Sequence, residues 1–422
     1  MKRILFVAPE AFPVKTSESI CNSKVAHSLA EAGYKVDVFT CSNITTYPLD
    51  NKVDAFLRAS SNLTIFHVNS NFQLSRQYSF KKNLKNGLKN IAILLRTGYW
   101  YNGISIPYGI LSAIKKRMKD LGGMPYDVLI TRGFNTDYVG IYLSKKYNIK
   151  WIANWNDPYP VKRFPAPYGQ GYDAQLPYFE NRIYNLIQKY ADIHTFPSDR
   201  LRKYMLKCFT HIDEAQTMVI PHMAHSGLFP IVQGTKIDNG VFKIVHCGSV
   251  GKPRNPENFV KGLSRLVEGN NLTGSNIKCY FVGNYDNNLA DIVRDNGLSD
   301  IVELLPPKGY TDSLSFISTC DIALIIEAIC DEGIYLPTKF VDSIQCGLPV
   351  FCVSPREGTL KDMVDKYGVG YHCDNTSVNN VEDKLREAYE DFLTKQLPVI
   401  DEVKVSYFFE KNINLLFASI ID

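Results

Sequence analysis

Short apolar runs alternate with amphipathic segments along the first half of the chain. Between the first two runs, Cys21, Val25, Leu29 and Ala32 recur at helical spacing, and Gly33 stands where the helix would end. Apolar strands that alternate with helices predict a parallel sheet covered on both faces. The predicted strands are Ile4–Ala8, Val36–Thr40, Leu63–Val68, Asp127–Thr131, Trp151–Asn154, Ile193–Phe196 and Met218–Ile220.

The alternation pauses over residues 226–240, which lack periodicity and are rich in turn formers. We interpret this stretch as a linker between a domain over residues 1–225 and a second domain over residues 241–402. The apolar residues 403–422 predict a helix that returns to the first domain. Predicted elements of the second domain are strands Phe242–Cys247, Ile277–Val282, Ile301–Leu304, Ile322–Ile326 and Val350–Val353, with helices starting near Pro256 and at Thr338.

Length and composition fit a two-domain globular protein. A chain of 422 residues exceeds what one hydrophobic core usually serves. A net charge of +4 is too small to indicate a nucleic-acid partner. The ten cysteines include no C-x-x-C pair, which favours buried thiols in a reducing cytoplasm over disulfides or a zinc site. The first apolar run ends at Pro9, too early for a signal peptide.

The loops after the strands are the expected place for chemistry, because parallel sheets bind ligands at the carboxyl ends of their strands. After the predicted strand Ile322–Ile326 comes an acidic loop with Glu332 and Gly333, and Thr338 then opens a helix. A helix N-terminus offers free N–H groups and partial positive charge to a diphosphate. Asp342 lies one turn after Thr338 on the same helical face, which suits a carboxylate that accepts from ribose hydroxyls.

This segment resembles the donor-binding signature of retaining glycosyltransferase family 4. The family has the GT-B fold, an α/β architecture of two Rossmann-like doubly wound parallel-sheet domains that face a central cleft. Its usual Glu-x7-Glu is replaced here by Glu332 and Asp342, ten positions apart. The run Pro337–Asp342 is similar to a Pro-Ser-Lys variant found in polysaccharide-assembly members. The resemblance implies that Glu332 contacts the transferred sugar, that Asp342 holds the ribose, and that Gly333, Thr338 and Lys339 line the donor site.

A second agreement with the family follows the first strand of the second domain. Members commonly carry Gly-Arg-Leu there and a lysine about five residues later, and the two cations bind the donor diphosphate. Here Gly248 is followed by Ser249 at the first cation's place, and Arg254 stands at the second. Whether Lys252 or Lys339 supplies the missing charge stays open.

Weaker matches extend the resemblance over most of the chain. Gly283 stands in Phe281–Asn284, which looks like the family's turn under the base. The runs 190–198 with 219–222, and 318–324, resemble the family's patterns at the end of the first domain and in the middle of the second.

The first domain offers acceptor-side candidates. Asn156 and Asp157 follow a predicted strand where many members place a histidine, and we expect Asp157 to act in catalysis by orienting the acceptor or supporting oxocarbenium-like charge. A turn-forming Asp before proline is the alternative. Lys15, Thr16 and Ser17 follow the first strand and are candidates to approach phosphate or acceptor, with a plain helix cap as the alternative.

Residues 81–101 predict an amphipathic helix. Lys81–Arg96 carries five cations and no acid, while Leu84, Leu88, Ile91 and Leu95 recur at helical spacing. Such a stretch is typical of a contact with an anionic membrane. A solvated helix packed on the domain is the alternative.

The resemblance implies a retaining, metal-independent hexosyltransferase, which we expect in the cytoplasm and which needs no cofactor beyond its nucleotide-sugar donor. The expected acceptor is a glycan or a lipid-linked saccharide in surface polysaccharide biosynthesis. One alternative is a GT-B epimerase acting on a nucleotide sugar. Another is a catalytically silent nucleotide-sugar-binding module, which the missing cation at Ser249 and the missing histidine near Asn156 favour. The absence of G-x-G-x-x-G disfavours a nicotinamide dehydrogenase.

Overall fold

The computed structural model describes residues 1–41, 49–68, 80–100, 103–133, 135–229, 234, 239–286 and 288–422. The chain divides into two compact units. The first unit comprises Met1–Pro165, Gly169–Met223 and Ile413–Asp422. The second unit comprises Ala166–Tyr168 and Ala224–Asn412.

The first unit is built on a seven-stranded sheet with the order β3-β2-β1-β4-β5-β6-β7, in which every pair of neighbours is parallel. The seven predicted strands are confirmed to within one residue at each end. The strands are β1 Arg3–Val7, β2 Lys35–Thr40, β3 Leu63–His67, β4 Val128–Arg132, β5 Lys150–Asn154, β6 Ile193–Phe196 and β7 Thr217–Val219.

Helices connect these strands. The first helix starts after Thr16, whose hydroxyl accepts from the Ser19 backbone N–H at 3.1 Å, and the chain turns away through Gly33 at a φ of +98°. The helices of the first unit are α1 Ser17–Glu31, α2 Asn51–Arg58, α3 Phe80–Thr97, α4 Ser105–Asp120, α5 Asp137–Tyr147, α6 Tyr178–Tyr190 and α7 Asp199–Cys208. Short 3-10 turns lie at Val161–Arg163 and Glu214–Gln216.

The second unit carries a six-stranded parallel sheet with the order β10-β9-β8-β11-β12-β13. Its last strand was not predicted from the sequence, because this edge strand alternates polar His372 and Asp374 with apolar residues and has no continuous apolar run. The strands are β8 Phe242–Cys247, β9 Ile277–Val282, β10 Val302–Leu305, β11 Ile322–Ile326, β12 Val350–Ser354 and β13 Gly370–Asp374.

The stretch 403–422, predicted as one helix, contains a helix over Glu410–Ile421 that is preceded by a break at Phe409. Phe409 has an extended backbone that pairs with Ala224, and this pairing interrupts the helix. A 3-10 turn lies before the break at Ser406–Phe408, and another lies at Ser226–Leu228. The helices of the second unit are α8 Glu257–Gly269, α9 Asn288–Asp295, α10 Tyr310–Ile317, α11 Thr338–Gln345, α12 Thr359–Tyr367, α13 Val378–Thr394 and α14 Glu402–Val405. A last helix, α15, spans Glu410–Ile421.

Both faces of the second sheet are buried. Along β11, Ile322, Leu324 and Ile326 enter one apolar cluster, while Ala323 and Ile325 enter clusters on the opposite face. This alternation follows from the two-residue period of a strand. It explains why the strands read as uninterrupted apolar runs, since helices cover both sides.

All ten cysteines are free thiols, and eight of them are buried. Within the described ranges, no helix combines the length and the apolar character that crossing a membrane requires.

Substitution of Gly140 in α5 tests how tightly the core of the first unit is packed. A Cβ at this position would lie 2.1 Å from Cζ2 of Trp151, a fully buried side chain of β5. We expect Gly140→Ala to lower the free energy of unfolding by about 1–3 kcal/mol, because a rigid core ring has to move. Urea denaturation measures the change.

The matched control is Gly87→Ala in α3, where nothing lies within 4 Å of the added Cβ. That substitution should be neutral or stabilising by up to about 1 kcal/mol, since alanine is preferred to glycine inside a helix. Equal effects of the two substitutions would contradict the packing argument.

Candidate functional site

Two glycines at the ends of adjacent strands pack backbone against backbone. Gly248 follows β8 and its N–H donates to the Val282 carbonyl at 2.8 Å. Gly283 follows β9, and a Cβ there would lie 2.2 Å from the Gly248 carbonyl oxygen. Both residues have positive φ, +125° and +147°, which favours glycine. The carboxyl ends of β8 and β9 therefore present bare backbone.

Lys339 lies against this glycine pair. A Cβ at Gly248 would lie 2.6 Å from Cε and 2.8 Å from Nζ of Lys339, so the lysine fills the space that a side chain at position 248 would need. The Nζ atom is 3.0 Å from Nε2 of His246, and Nδ1 of His246 is 2.9 Å from the Leu324 carbonyl. A carbonyl can only accept, so Nδ1 carries the imidazole proton, and Nε2 accepts from Lys339.

Lys339 and His246 both have pKa values below their ordinary ones. Burial, with the Arg254 guanidinium adding to it, lowers the pKa of Lys339 to about 7. Burial and the neighbouring lysine hold the pKa of His246 well below its ordinary value, so the imidazole is neutral. Among the described groups, the thiol of Cys247 is the one that opposes the shift of the lysine pKa.

Arg254 lies on the exposed loop that follows β8. The loop folds back on itself through a hydrogen bond from the Gly251 N–H to the Arg254 carbonyl at 3.1 Å. The Arg254 guanidinium is accessible, and its Nε donates to the Tyr168 hydroxyl at 3.4 Å. Ser249 and Lys252 lie on the same loop and are also exposed.

The start of α11 lies in the same region. Pro337 precedes the helix without a side-chain cap, and Thr338 is the first helical residue. Asp342, one turn later, accepts a hydrogen bond from the Tyr310 hydroxyl at 2.6 Å. Tyr310 opens α10, so the carboxylate of Asp342 is held by a neighbouring helix rather than left to rotate.

A buried carboxyl lies beneath the acidic loop. Glu327 follows β11 and is 8% exposed, and its Oε2 has no hydrogen-bond partner in the part of the chain that the structure describes. A Cβ at Gly333 would lie 2.8 Å from that oxygen, so the glycine lets the loop cross over the carboxyl. Burial raises the pKa of Glu327 to about 8, against the opposing effect of Arg254. Glu332 lies on the loop itself and is partly exposed.

In the first unit, Asn156 contacts a carboxylate at the end of the sheet. Its Nδ2 lies 3.0 Å from both carboxylate oxygens of Glu18, in the first turn of α1. Asn22 also donates to Glu18 at 3.0 Å and accepts from Nε of the buried Arg132 at 2.7 Å. These polar groups follow β1, β4 and β5, at the carboxyl end of the first sheet.

The other acceptor-side candidates of the first unit have different surroundings. Thr16 caps α1, and its hydroxyl donates to Glu10 Oε2 at 3.0 Å, so the helix-cap alternative describes its contacts. Ser17 is exposed and Lys15 is half-buried. Asp157 directly follows Asn156 and is partly exposed.

Sequence reasoning overlooked Glu18, His246, Tyr310 and Glu327. Glu327 is the first residue after a strand, so the rule that singled out the other loop residues applies to it as well. His246 is an ionisable residue near the end of an apolar strand, a weak signal. Glu18 and Tyr310 carry no signal, because an acid or a tyrosine in a first helical turn is ordinary.

Residues 230–397 match the family model described as glycosyl transferases group 1. The match covers every donor-side residue discussed above, from Gly248 to Asp342. No curated protein matches the sequence.

Solved structures match over nearly the whole chain. Sucrose-phosphate synthase from Thermosynechococcus elongatus has a TM-score of 0.69 and 14% identity, over 100% of this chain and 98% of that one. The Anabaena protein HepE in complex with UDP and glucose has a TM-score of 0.66 and 13% identity, over 99% of both chains. WaaG, a glycosyltransferase involved in lipopolysaccharide biosynthesis, has a TM-score of 0.58 and 12% identity, over 99% and 98%. These likenesses show that the two units have the GT-B fold.

Glu327 makes the stability of the second unit depend on pH. In the unfolded chain the carboxyl ionises near its ordinary value of 4.5, whereas the folded protein keeps it protonated to about pH 8. The native state is therefore destabilised as pH rises through this window. Glu327→Gln cannot ionise, so its free energy of unfolding relative to wild type should rise by roughly 2–3 kcal/mol between pH 5 and pH 7.

Urea denaturation of both proteins at the two pH values measures this difference. Glu303→Gln, at an exposed position of β10, is the control and should show almost no pH-dependent difference. A constant difference between Glu327→Gln and wild type would contradict a protonated carboxyl.

Proposed function

We propose that this chain is a retaining, metal-independent hexosyltransferase of the cytoplasm. It takes a sugar from a nucleoside-diphosphate-sugar and transfers it to a glycan or lipid-linked saccharide in surface polysaccharide biosynthesis. The retaining outcome and the placement in glycosyltransferase family 4 rest on the resemblance of Pro337–Asp342 and of the Gly248 loop to that family's donor motifs.

One observation carries the proposal: the bare backbone at Gly248 and Gly283 lies beside a lysine amine and the start of α11. A diphosphate needs close approach to backbone, cationic partners and free N–H groups, and these features supply all three. Asp342 lies one turn into the helix, where its carboxylate accepts hydrogen bonds from the ribose hydroxyls. Arg254 and Lys339 neutralise the leaving diphosphate, so the transfer we propose uses no metal ion.

In the proposed reaction, Glu332 contacts hydroxyls of the transferred sugar from the loop before α11. Asp157 orients the acceptor or supports the positive charge that develops on the sugar ring. Asn156, which is held by Glu18, is the neighbouring polar group on the acceptor side. The leaving phosphate accepts the proton of the acceptor hydroxyl, so no histidine base is required.

The solved structures support the choice of donor. The HepE structure contains UDP and glucose, and the WaaG structure is that of a glycosyltransferase. By likeness of fold we expect this chain to bind a uridine diphosphate sugar or a close relative.

The two alternatives make different predictions. An epimerase converts a nucleotide sugar without any acceptor, so incubation with the donor alone distinguishes it. A silent binding module binds the donor and never releases the sugar. Ser249 and the missing histidine near Asn156 favour this second alternative, whereas the Lys339 amine beside Gly248 supports a complete diphosphate site.

Donor binding should depend on Arg254 and Asp342. We expect Arg254→Ala and Asp342→Asn each to weaken binding of the best nucleoside diphosphate by about 10- to 100-fold, because each removes a charge-assisted contact. Thermal-shift screening of UDP, GDP and ADP identifies the ligand, and calorimetry measures its affinity.

Arg294→Ala is the control, since this arginine of α9 has 65% of its side chain exposed and pairs with Asp291 on its own helix. It should bind like wild type. If no diphosphate shifts the melting temperature, or if both site variants bind like wild type, the proposed donor site is wrong.

The proposal includes contact of α3 with an anionic membrane. Leu84, Leu88, Ile91 and Leu95 are 58%, 62%, 48% and 82% exposed, although their spacing places them on one helical stripe. Ile93, about half a turn away, is buried at 3% exposure and anchors the helix. The helix therefore packs against the rest of the first unit through Ile93, on the face opposite its apolar stripe, and the stripe itself is exposed.

Charge indicates what covers this stripe. Lys85, Lys89 and Arg96 each follow a stripe leucine by one position, so they flank the stripe on one side. No acid occurs between Lys81 and Arg96. Apolar side chains beside a row of cations complement a bilayer with anionic headgroups. The side chains of Lys81 and Lys82, and residue Tyr101, lie outside the described part.

The double variant Leu88→Ser with Leu95→Ser should bind vesicles containing roughly 30% phosphatidylglycerol at least about tenfold more weakly than wild type, because two membrane-buried leucines are lost. Cosedimentation measures the affinity, and about 0.5 M salt should weaken wild-type binding by screening the cations.

The control is Leu393→Ser with Leu415→Ser, two leucines exposed to 59% and 63% on other helices. Equal binding of the two double variants would contradict the assignment, as would equal binding of wild type to neutral vesicles. A dimer that only the α3 variant disperses would assign the stripe to a second copy of the chain.

A further inference from the structure

The amine of Lys339 has no carboxylate in its described surroundings. Its Nζ donates to the imidazole Nε2 of His246 at 3.0 Å, and His246 is fixed in turn by the Leu324 carbonyl. A buried ammonium is normally stabilised by an acid, because taking a charge out of water is costly. A neutral ring that only accepts one hydrogen bond is a weak substitute. The arrangement suits an amine that is neutral until an anion arrives.

The position of the amine matches a diphosphate. Lys339 is the second residue of α11, so its side chain and the free N–H groups of the first turn lie at the same helix end. Its amine reaches the surface of Gly248, where no side chain intervenes. The cation that the family carries one residue after this glycine is replaced by Ser249, which is exposed and uncharged. Lys339 thus supplies from a helix the charge that is missing from the loop.

The groups that act on the amine come from several elements. His246 and Cys247 belong to β8, and Arg254 lies on the loop after it. Asp342 lies one turn further along α11, and its charge, like that of Lys308, acts on the Cys247 thiol. Arg254 and burial disfavour a second positive charge at Lys339 in the ligand-free protein. A bound diphosphate reverses that balance, since its negative charge favours the ammonium form in a region of low dielectric constant.

We propose that Lys339 is the second cation of the diphosphate site, that His246 is a positioning residue which holds its amine, and that this amine takes one proton from solvent when the diphosphate binds. This rests on the proposed donor site, and it adds to that site the positioning role of His246 and the protonation of Lys339.

The pKa of Lys339 sets the direction in which diphosphate affinity changes with pH. With a pKa of about 7 in the free protein, the amine is mostly neutral at pH 8.5. Binding at that pH must therefore bring in close to one proton. Affinity falls as pH rises above 7, by about tenfold between pH 7 and pH 8.5, because the neutral form has to be protonated first.

Calorimetry of UDP binding to the full chain, in two buffers of different ionisation enthalpy at pH 7 and pH 8.5, tests the proposal. If the screen selects GDP or ADP, that nucleotide replaces UDP. Wild type should take up close to one proton at pH 8.5 and lose about tenfold in affinity. Lys339→Arg keeps its charge throughout, so it should take up no proton and hold its affinity within about twofold. Lys252→Met should retain the proton uptake.

His246 is tested by two variants. His246→Asn keeps a donor for the Leu324 carbonyl but loses the acceptor for Lys339. It should weaken diphosphate binding at pH 7 by about 3- to 10-fold, the value of one hydrogen bond. The pH at which its diphosphate affinity is half lost should move upward, because water that replaces the imidazole ring solvates the Lys339 ammonium. His246→Gln, which keeps an acceptor near the place of Nε2, should restore much of the affinity.

The outcomes separate this inference from the donor site itself. Tight UDP binding without proton uptake and with constant affinity would overturn the inference and leave the donor site standing. Proton uptake by Lys339→Arg equal to that of wild type would assign the proton to another group and overturn it as well. An unchanged affinity and pH midpoint in His246→Asn would remove the positioning role. Failure of UDP, GDP and ADP to bind at any pH would defeat the donor site as a whole.

Discussion

The contact between Gly248 and Gly283 is the constraint on which the candidate site of the second unit depends. The two backbones approach so closely that a Cβ at position 283 would lie 2.2 Å from a carbonyl oxygen. Bare backbone at the end of two adjacent strands leaves room for the Lys339 side chain above β8. It also leaves a surface that a phosphate can approach without meeting a side chain. A larger residue at either position would displace a strand, the lysine or both.

Two ionisable groups of the second unit, Glu327 and Lys339, are held away from water at a cost to stability. Among the described residues, Glu327 lacks a hydrogen-bond partner for one oxygen, and the acceptor recorded for the Lys339 amine is an imidazole nitrogen. Unsatisfied polar groups of this kind destabilise a folded protein unless a ligand completes them. Two such groups in one region indicate a site shaped for an occupant rather than for stability. The same reasoning makes the pH dependence of folding and of binding informative about the site.

Local patterns and long-range packing give different information about α3. The spacing of Leu84, Leu88, Ile91 and Leu95 predicts one apolar stripe, and a stripe ordinarily faces the core. In the folded unit Ile93 on the opposite face is buried, and the stripe is exposed. The number of apolar residues on each face did not decide the orientation. This helix packs against α4, and the face that packs depends on two segments rather than one.

The sequence by itself determined the order and nearly all the bounds of the strands, because apolar runs between helical segments form a buried parallel sheet whatever the details. It also determined the Pro337–Asp342 helix start, since caps and turns act within a few residues. Only the tertiary structure placed Lys339 on His246, 93 positions away, and Asn156 on Glu18, 138 positions away. Such contacts arise from the order in which strands join a sheet, and no local pattern encodes that order. The edge strand β13 and the break at Phe409 depend on pairing with distant backbone for the same reason.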